Sequence, residues 1–138
     1  MLKKLLYALV LLLLLLGIGG YLVWNVPEEN VAKKTVDFTT TASNLFTEFS
    51  EKEKASTAKY VSKVIAVSGK IEEITKDEKG DQVILIAGSS DMMNGVMCTL
   101  EKSEADKAKS LKTGDEVTIK GRCTGMLMDV VLNKCTIQ

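Results

Sequence analysis

The amino-acid sequence predicts a mainly β protein: a five-stranded Greek-key barrel with a short helix between its third and fourth strands, preceded by a helical segment and an N-terminal transmembrane helix. Three observations predict this fold. Short runs of alternating apolar residues recur after residue 61. One helix-capping signature falls after the third run. Glycines mark the bends that barrel closure requires, whereas the competing arrangement, an open α+β sheet, does not need them.

The chain begins with an apolar segment long enough to cross a bilayer. Residues 5–24 carry no charge, and a helix of that length spans roughly 30 Å, the thickness of a bilayer core. Lys3 and Lys4 precede the segment and acidic residues follow it, so the positive-inside rule predicts a cytoplasmic N-terminus and an exported C-terminal domain. We therefore expect residues 1–24 to be a single-pass anchor whose partner is the lipid bilayer.

A signal peptide is the main alternative to a retained anchor. The apolar run exceeds the ~7–15 residues of a signal-peptide core, and no A-x-A cleavage site follows it. These features favour retention, and both interpretations export the rest of the chain. A buried core helix is disfavoured because the leucine run has no polar face.

Between the anchor and the barrel, the sequence predicts a spacer and then a helical segment. Residues 25–40 contain the chain's one proline and read as the spacer. Thr41 is suited to cap a first helix, and Ser50 with Glu53 fits a capping box for a second, over residues 51–59. We expect residues 41–60 to pack on a barrel formed by residues 61–138, with membrane contact as the alternative. The apolar positions of the two helices are Ala42, Leu45, Phe46 and Phe49, then Ala55, Ala58 and Tyr60.

Five strands and one helix are predicted in the barrel. A change in the parity of the apolar residues predicts a β-bulge near Glu72 and Glu73. The order of three strands, one helix and two strands is that of the OB-fold. The predicted strands are 61–74, 82–87, 96–100, 117–123 and 129–137; the helix is 103–111; the connections include a turn at 77–81 and loops at 88–95 and 124–128.

Several of these segments also resemble a known family. The residues concerned are Lys59-Tyr60, Lys63-Val64-Ile65, Val67-x-Gly69, Gly95-Val96-x-Cys98, Leu111-x-x-Gly114-Asp115-x-Val117-Thr118-Ile119-Lys120-Gly121-x-Cys123-Thr124-Gly125 and Asp129-Val130-Val131-Leu132-x-x-Cys135. In them the chain resembles the tRNA_anti-like family of small bacterial OB-fold proteins, which often carry an N-terminal signal or anchor. The resemblance covers roughly residues 45–138 and implies similarity to the anticodon-binding OB domain. Together with the predicted anchor, it leads us to expect a bacterial inner-membrane location with a periplasmic barrel. It implies no established activity.

The composition of the barrel argues against nucleic acid as its partner. OB-folds that bind single strands combine a basic groove with aromatic side chains, and each stacked base contributes on the order of 1–3 kcal/mol. Residues 62–138 contain no Phe, Tyr or Trp, and they hold eleven basic against twelve acidic residues. A nucleic-acid-binding domain is normally clearly basic.

The residue types required for catalysis and metal binding are largely missing. The chain has no His, which removes the commonest general base and metal ligand. It also lacks a G-x-S-x-G motif, a P-loop and a C-x-x-C pair. We therefore predict no catalytic residue, no cofactor, no metal and no enzymatic activity.

Three cysteines, at 98, 123 and 135, fall in predicted strands. In an exported domain a disulfide is expected between two of them. Cys123 with Cys135 is the first candidate, and Cys98 with Cys135 is the alternative, because strands three and five are neighbours in this barrel. The remaining possibility is three small buried thiols.

Two predicted loops concentrate methionines and form the candidate binding surface. Loops around an OB barrel often bind ligands, and methionine adapts to varied apolar partners. The alternative is that these residues plug the ends of the barrel. The candidate residues are Met92, Met93, Asn94, Met126, Met128 and Asp129.

These observations favour a non-enzymatic, membrane-anchored binding module at the cell envelope. Its expected partner is a protein, a peptide or a glycan. A nucleic-acid-binding OB-fold domain is the alternative, and a structural envelope protein with no small ligand is the second alternative.

Overall fold

The computed structural model of the chain describes residues 1–25, 30–89 and 92–138, with only the backbone of 92 and 93. Its first element is helix α1, Leu2–Trp24, in which no side chain is buried. Among the described residues it is the one helix long and apolar enough to cross a bilayer, although a signal sequence meets the same criteria. The N-terminal apolar helix is confirmed, and its membrane topology stays a prediction.

Six strands form one sheet that closes on itself. Their order is β1-β2-β3-β4-β6-β5, and β2 also pairs with β5, so β2 to β6 form a closed five-stranded barrel with β1 added on the outside. β4 and β6 run parallel, and the other barrel pairs are antiparallel. The predicted OB-fold is therefore confirmed. The strands are β1 Phe38–Thr41, β2 Val64–Lys76, β3 Gln82–Ser89, β4 Met92–Leu100, β5 Glu116–Met126 and β6 Val130–Ile137.

Helix α2, Ala42–Glu51, begins where the sequence predicts. The Thr41 hydroxyl accepts a hydrogen bond from the Asn44 N–H at 3.2 Å, which satisfies one of the free donors of the first turn. All four predicted apolar residues of the helix are buried. Because Ala42 lies beside the inward-facing Gly69, α2 covers one opening of the barrel and adds its aromatic rings to the core.

Helix α3, Glu53–Tyr60, differs from the prediction. The chain bends at Lys52, the helix has no side-chain cap, and the face that it buries therefore starts in a new phase. Ser56 and Tyr60 are buried, whereas the predicted Ala55 and Ala58 are exposed.

The prediction of a loop at residues 88–95 is wrong. β3 continues to Ser89 and β4 begins at Met92, so the two strands form a hairpin with 90 and 91 outside the described residues. The two glycines that suggested a loop are instead points of close packing. A Cβ on Gly88 would lie 3.0 Å from the Phe46 ring, and one on Gly95 would overlap the Ile86 carbonyl oxygen.

Two other connections are shorter than predicted. β5 extends to Met126, which leaves a turn at 127–129. The helix between β4 and β5 is only α4, Ala105–Ala108, after a 3-10 turn at Lys102–Glu104. The β-bulge predicted near Glu73 is confirmed by a register shift between Ile71 and Glu73.

The stretch predicted as a spacer, residues 25–40, contains structure that the prediction missed. A 3-10 turn, Val31–Lys33, lies against β5 and β6, and β1 begins at Phe38 and pairs in parallel with β2. The Asp37 carboxylate accepts the Val64 N–H at 2.9 Å. The short run of threonines in β1 has no alternating apolar residues, so its sequence gives no strand signal.

Candidate functional site

OB-folds bind ligands on the face of their second and third strands and in the flanking loops. In this chain those strands are β3 and β4. The flanking loops are the β2–β3 turn, residues 77–81, and the β5–β6 turn, residues 127–129. We refer to the outer surface of these two strands as the β3–β4 face.

An apolar stripe crosses the β3–β4 face. Leu85 pairs with Met97, and Met97 pairs with Val131 on β6. All three side chains are half-buried and point outward, because the alternate residues Ile84 and Ile86 fill the core. Glu73 of β2 pairs with Leu85 and ends the stripe on a charged residue. Half-buried apolar residues in register across three strands offer a continuous surface to an apolar ligand.

The β3–β4 face is uncharged. β3 and β4 contain no Lys, Arg, Asp or Glu, and no aromatic residue. The β2–β3 turn beside them is acidic, with Asp77, Glu78 and Asp81 around Lys79. The Asp77 carboxylate accepts the backbone N–H groups of Lys79 and Asp81, both at 2.9 Å, which fixes the turn. This composition suits a neutral or basic apolar partner and repels a polyanion.

The predicted site residues in and beside the β5–β6 turn differ in their exposure to solvent. Leu127 and Met128 are 89% and 74% exposed at its tip. Asp129 has a structural contact, since its carboxylate accepts the Gly95 N–H at 2.8 Å and fastens the turn to β4. Met126 packs against the core. Of the three predicted residues Met126, Met128 and Asp129, only Met128 is therefore exposed and accessible to a partner.

The other predicted loop residues lie in β4. Asn94 is half-buried on the strand. Met92 and Met93 are also strand residues, and their side chains lie outside the described part of the chain. We therefore take the apolar stripe on the strands, rather than the predicted methionine-containing loops, as the candidate binding surface. The sequence shows Leu85, Met97 and Val131 as separate apolar residues, and only the register of β3, β4 and β6 brings them together.

The three cysteines are free and buried in the barrel interior. Cys98 and Cys123 flank the same residue, Leu132, from opposite strands. Cys135 lies near Cys98 in the interior. Burial, and then the neighbouring Cys98 side chain, raise the pKa of the Cys135 thiol well above its ordinary value. Burial also raises the pKa of Cys123. The arrangement favours Cys98 over Cys123 as the partner of Cys135, and the disulfide itself stays a prediction.

A polar cleft of about 330 Å³ lies between β2 and β5, beside the C-terminus. Its lining includes Ser68 and Thr118, whose hydroxyl oxygens are 3.1 Å apart, and one carboxylate, Glu116. A single exposed acid without a base beside it does not form an acid–base pair. Among the described residues, no three His, Cys, Asp or Glu side chains come together as metal ligands.

Comparison with known proteins identifies relatives of the fold. A family model described as tRNA_anti-like matches residues 1–137. Among solved structures, the chain is similar to a "putative nucleic acid-binding lipoprotein" from Klebsiella pneumoniae, with 15% identity, a TM-score of 0.61, and coverage of 80% of this chain and 97% of that one. A chain of the S. pombe Stn1–Ten1 complex has 23% identity, a TM-score of 0.42, and coverage of 54% and 57%. No curated protein matches the sequence.

Proposed function

Because the chain belongs to the tRNA_anti-like family, whose name assigns no activity, we propose a function from its own surface: a non-enzymatic OB-fold module, anchored in the bacterial inner membrane, that binds a polypeptide at the cell envelope. The observation that carries the proposal is the uncharged β3–β4 face with its apolar stripe. A segment of polypeptide can cover Leu85, Met97 and Val131 with apolar side chains, and its basic residues can reach the acidic β2–β3 turn.

The residues of the β3–β4 face also favour a polypeptide over the other classes of ligand. Single-stranded nucleic acids need basic and aromatic side chains, and neither type occurs in β3 or β4. Glycans are polar, and the stripe presents no hydrogen-bonding side chain of its own. A protein or peptide is the class that an apolar surface with an acidic border recognises best.

Nucleic-acid binding is the second candidate function. The observation that favours it is the description of the Klebsiella pneumoniae lipoprotein as nucleic acid-binding. At 15% identity that similarity extends to the fold alone. The residues of the β3–β4 face do not support transferring that description to this chain.

Site-specific photocrosslinking in the native membrane tests the proposal. A photoreactive phenylalanine analogue replaces Met97 on the stripe or, as a control, the exposed Lys54 of α3. We expect an adduct at position 97 that protease degrades and nuclease does not, and no adduct at 54. The added substitution Leu85→Asp should abolish the adduct, because it places a charge in the stripe. A nuclease-sensitive adduct at 97, or equal adducts at both positions, would falsify polypeptide binding at this face.

A titration of the full chain with labelled single-stranded DNA and RNA tests the second candidate. We expect no change in fluorescence anisotropy even at low salt. Saturable binding that weakens steeply with added salt would establish nucleic acid as the ligand.

A further inference from the structure

A buried lysine fastens the segment that follows the membrane helix to the wall of the barrel. Lys120 of β5 is only 6% exposed, and its ammonium group donates hydrogen bonds to the carbonyl oxygens of Ala32 at 2.9 Å and Lys34 at 2.7 Å. Val31 is fully buried on the same wall. We call this set of contacts the Lys120 clamp. A buried ammonium is costly without hydrogen-bond acceptors, so the clamp holds the segment in one place.

The clamp leaves a short connection to the membrane helix. Only residues 25–30 separate the end of α1, at Trp24, from the clamped Val31. Fully extended, a chain of this length reaches about 20 Å. The headgroup layer itself occupies roughly 5–7 Å of that distance beyond the hydrocarbon core. The wall around Lys120 is therefore held close to the membrane surface whenever α1 spans the bilayer.

Charge is distributed unequally between this wall and the β3–β4 face. Segments 72–81 and 101–102, which border the face, hold six acidic and three basic residues. Around the clamp and along the connection there are five basic and three acidic residues, with Lys33 and Lys63 exposed. An anionic lipid surface attracts basic side chains and repels acidic ones within a Debye length, about 8–10 Å. The charged residues around the clamp are Lys33, Lys34, Lys63, Arg122, Lys134 and Asp37, and the sequence of the connection adds Glu28 and Glu29.

The topology places the two surfaces on different sides of the barrel. The clamp lies on the outside of β5, next to β2, and of the end of β6 where Thr136 pairs with Lys120. The apolar stripe of the face reaches only the other end of β6, at Val131. We propose that the wall around Lys120 docks on the phospholipid headgroups and that the Lys120 clamp thereby turns the β3–β4 face away from the membrane. The proposal rests on the anchoring proposed above, and it adds the bilayer as the partner of a second surface of the barrel.

Fluorescence quenching by lipid in reconstituted vesicles tests this orientation. The full chain, inserted in phosphatidylglycerol-containing vesicles with spin-labelled headgroups, carries a fluorophore on Thr35→Cys beside the clamp or on Thr99→Cys on the face. The native cysteines are buried, so labelling without denaturant selects the added one. We expect strong quenching at 35 and little at 99. Equal quenching, or stronger quenching at 99, overturns the proposal.

Replacing Lys120 distinguishes the effect of the clamp's hydrogen bonds on orientation from a general effect of positive charge. Lys120→Met removes both hydrogen bonds, and the difference in quenching between positions 35 and 99 should shrink. The exposed Lys102→Met removes the same charge and should leave the difference intact. If Lys120→Met unfolds the barrel, as judged by circular dichroism, the comparison of 35 with 99 in the otherwise unchanged chain still decides. If the chain does not float with the vesicles, the anchoring fails, and the orientation fails with it; a chain that floats without a quenching difference overturns the orientation alone.

Discussion

At the scale of single residues, Gly95 shows how closely β3 and β4 are packed. A Cβ at this position would overlap the carbonyl oxygen of Ile86, and it would also lie 2.7 Å from the Gly88 nitrogen. Both neighbours are backbone atoms, so neither can rotate away as a side chain would. The Gly95 N–H also donates a hydrogen bond to the Asp129 carboxylate, 2.8 Å away.

Gly95→Ala should therefore destabilise the barrel. Overpacking in a tight interior costs about 1–3 kcal/mol, and here the strands must also separate locally. Urea denaturation followed by circular dichroism measures the change in the free energy of unfolding. Thr99→Ala, on the outer side of the same strand, is the control and should change stability by less than about 0.5 kcal/mol. Equal stability of Gly95→Ala and the unmodified chain would show that the hairpin is looser than described.

A second prediction at the scale of single residues is a disulfide between Cys98 and Cys135. The two side chains are neighbours inside the barrel, so they are the pair that we expect to form a disulfide if the barrel is exported as proposed. Refolding with oxidised glutathione should join the two sulfurs, transfer their two hydrogens to glutathione and release two molecules of the reduced tripeptide. Intact mass under non-reducing conditions measures the loss of two hydrogens.

Cysteine variants identify the bonded pair. Cys123→Ser should still lose the two hydrogens, and Cys98→Ser should not. The reverse result would establish the Cys123–Cys135 pairing that the sequence first suggests. The folded, reduced protein should oxidise slowly, because a raised thiol pKa leaves little thiolate at neutral pH and the sulfurs are buried.

At the scale of elements, a polar cluster joins helices α2 and α3 across their bend. The Tyr60 hydroxyl donates to the Glu48 carboxylate at 2.9 Å, and the Lys59 ammonium lies 3.2 Å from the same oxygen. Burial raises the pKa of the Tyr60 hydroxyl, so it remains protonated and able to donate at neutral pH. Its ring packs edge-on against Phe38 of β1, with 5.3 Å between centroids. The cluster thus ties both helices to the first strand.

Tyr60→Phe should loosen this junction without a cavity. It removes the hydrogen bond to Glu48 and keeps the ring, so the expected loss is about 1–2 kcal/mol of unfolding free energy. Thermal unfolding measures it. Lys59→Met is the comparison and should have the smaller effect, because the Lys59–Glu48 pair is exposed to solvent. A larger loss for Lys59→Met would assign the junction to the ion pair instead.

Elements that depend on local signals could be predicted from the sequence, and those that depend on distant partners could not. Helix α2 has its cap and its apolar face within eleven residues, 41–51, so both were visible. β1 exists because β2 offers it a partner 27 residues away, and nothing in its own composition marks it. The sequence alone does not show whether Gly88 and Gly95 lie in a loop or in a tightly packed hairpin. Their close neighbours, the Phe46 ring for Gly88 and the Ile86 carbonyl for Gly95, are known only from the fold.

The candidate surfaces show the same limit. The methionines were visible as a composition bias, yet Met126 packs on the core and the apolar stripe runs through strands that meet only in the closed barrel. From its place in the sequence, between Ile119 and Gly121 of an alternating strand, Lys120 would be expected to be exposed. Its acceptors, the carbonyl oxygens of Ala32 and Lys34, lie more than 80 residues earlier in the chain. A buried charge of this kind follows from the tertiary fold and has no local sequence signal.

At the scale of the whole molecule, the folding unit begins between helix α1 and β1. Helix α1 buries none of its side chains, so it contributes nothing to the barrel's core. Val31, by contrast, is fully buried, and α2 supplies Leu45, Phe46 and Phe49 to the same core as the strands. The barrel predicted for residues 61–138 therefore depends on the thirty residues before it.

Truncations measure this dependence. Residues 30–138 should unfold cooperatively at the same urea midpoint as the full chain in detergent, because only α1 and its connection are lost. Residues 61–138 should not fold, because losing the three large side chains of α2 removes about 2–5 kcal/mol each from a total stability of about 5–15 kcal/mol. Residues 42–138, which keep α2 but lose β1 and the clamped segment, should fold with reduced stability. If residues 61–138 unfold with the same midpoint as 30–138, the helices are appendages and the strands alone specify the barrel.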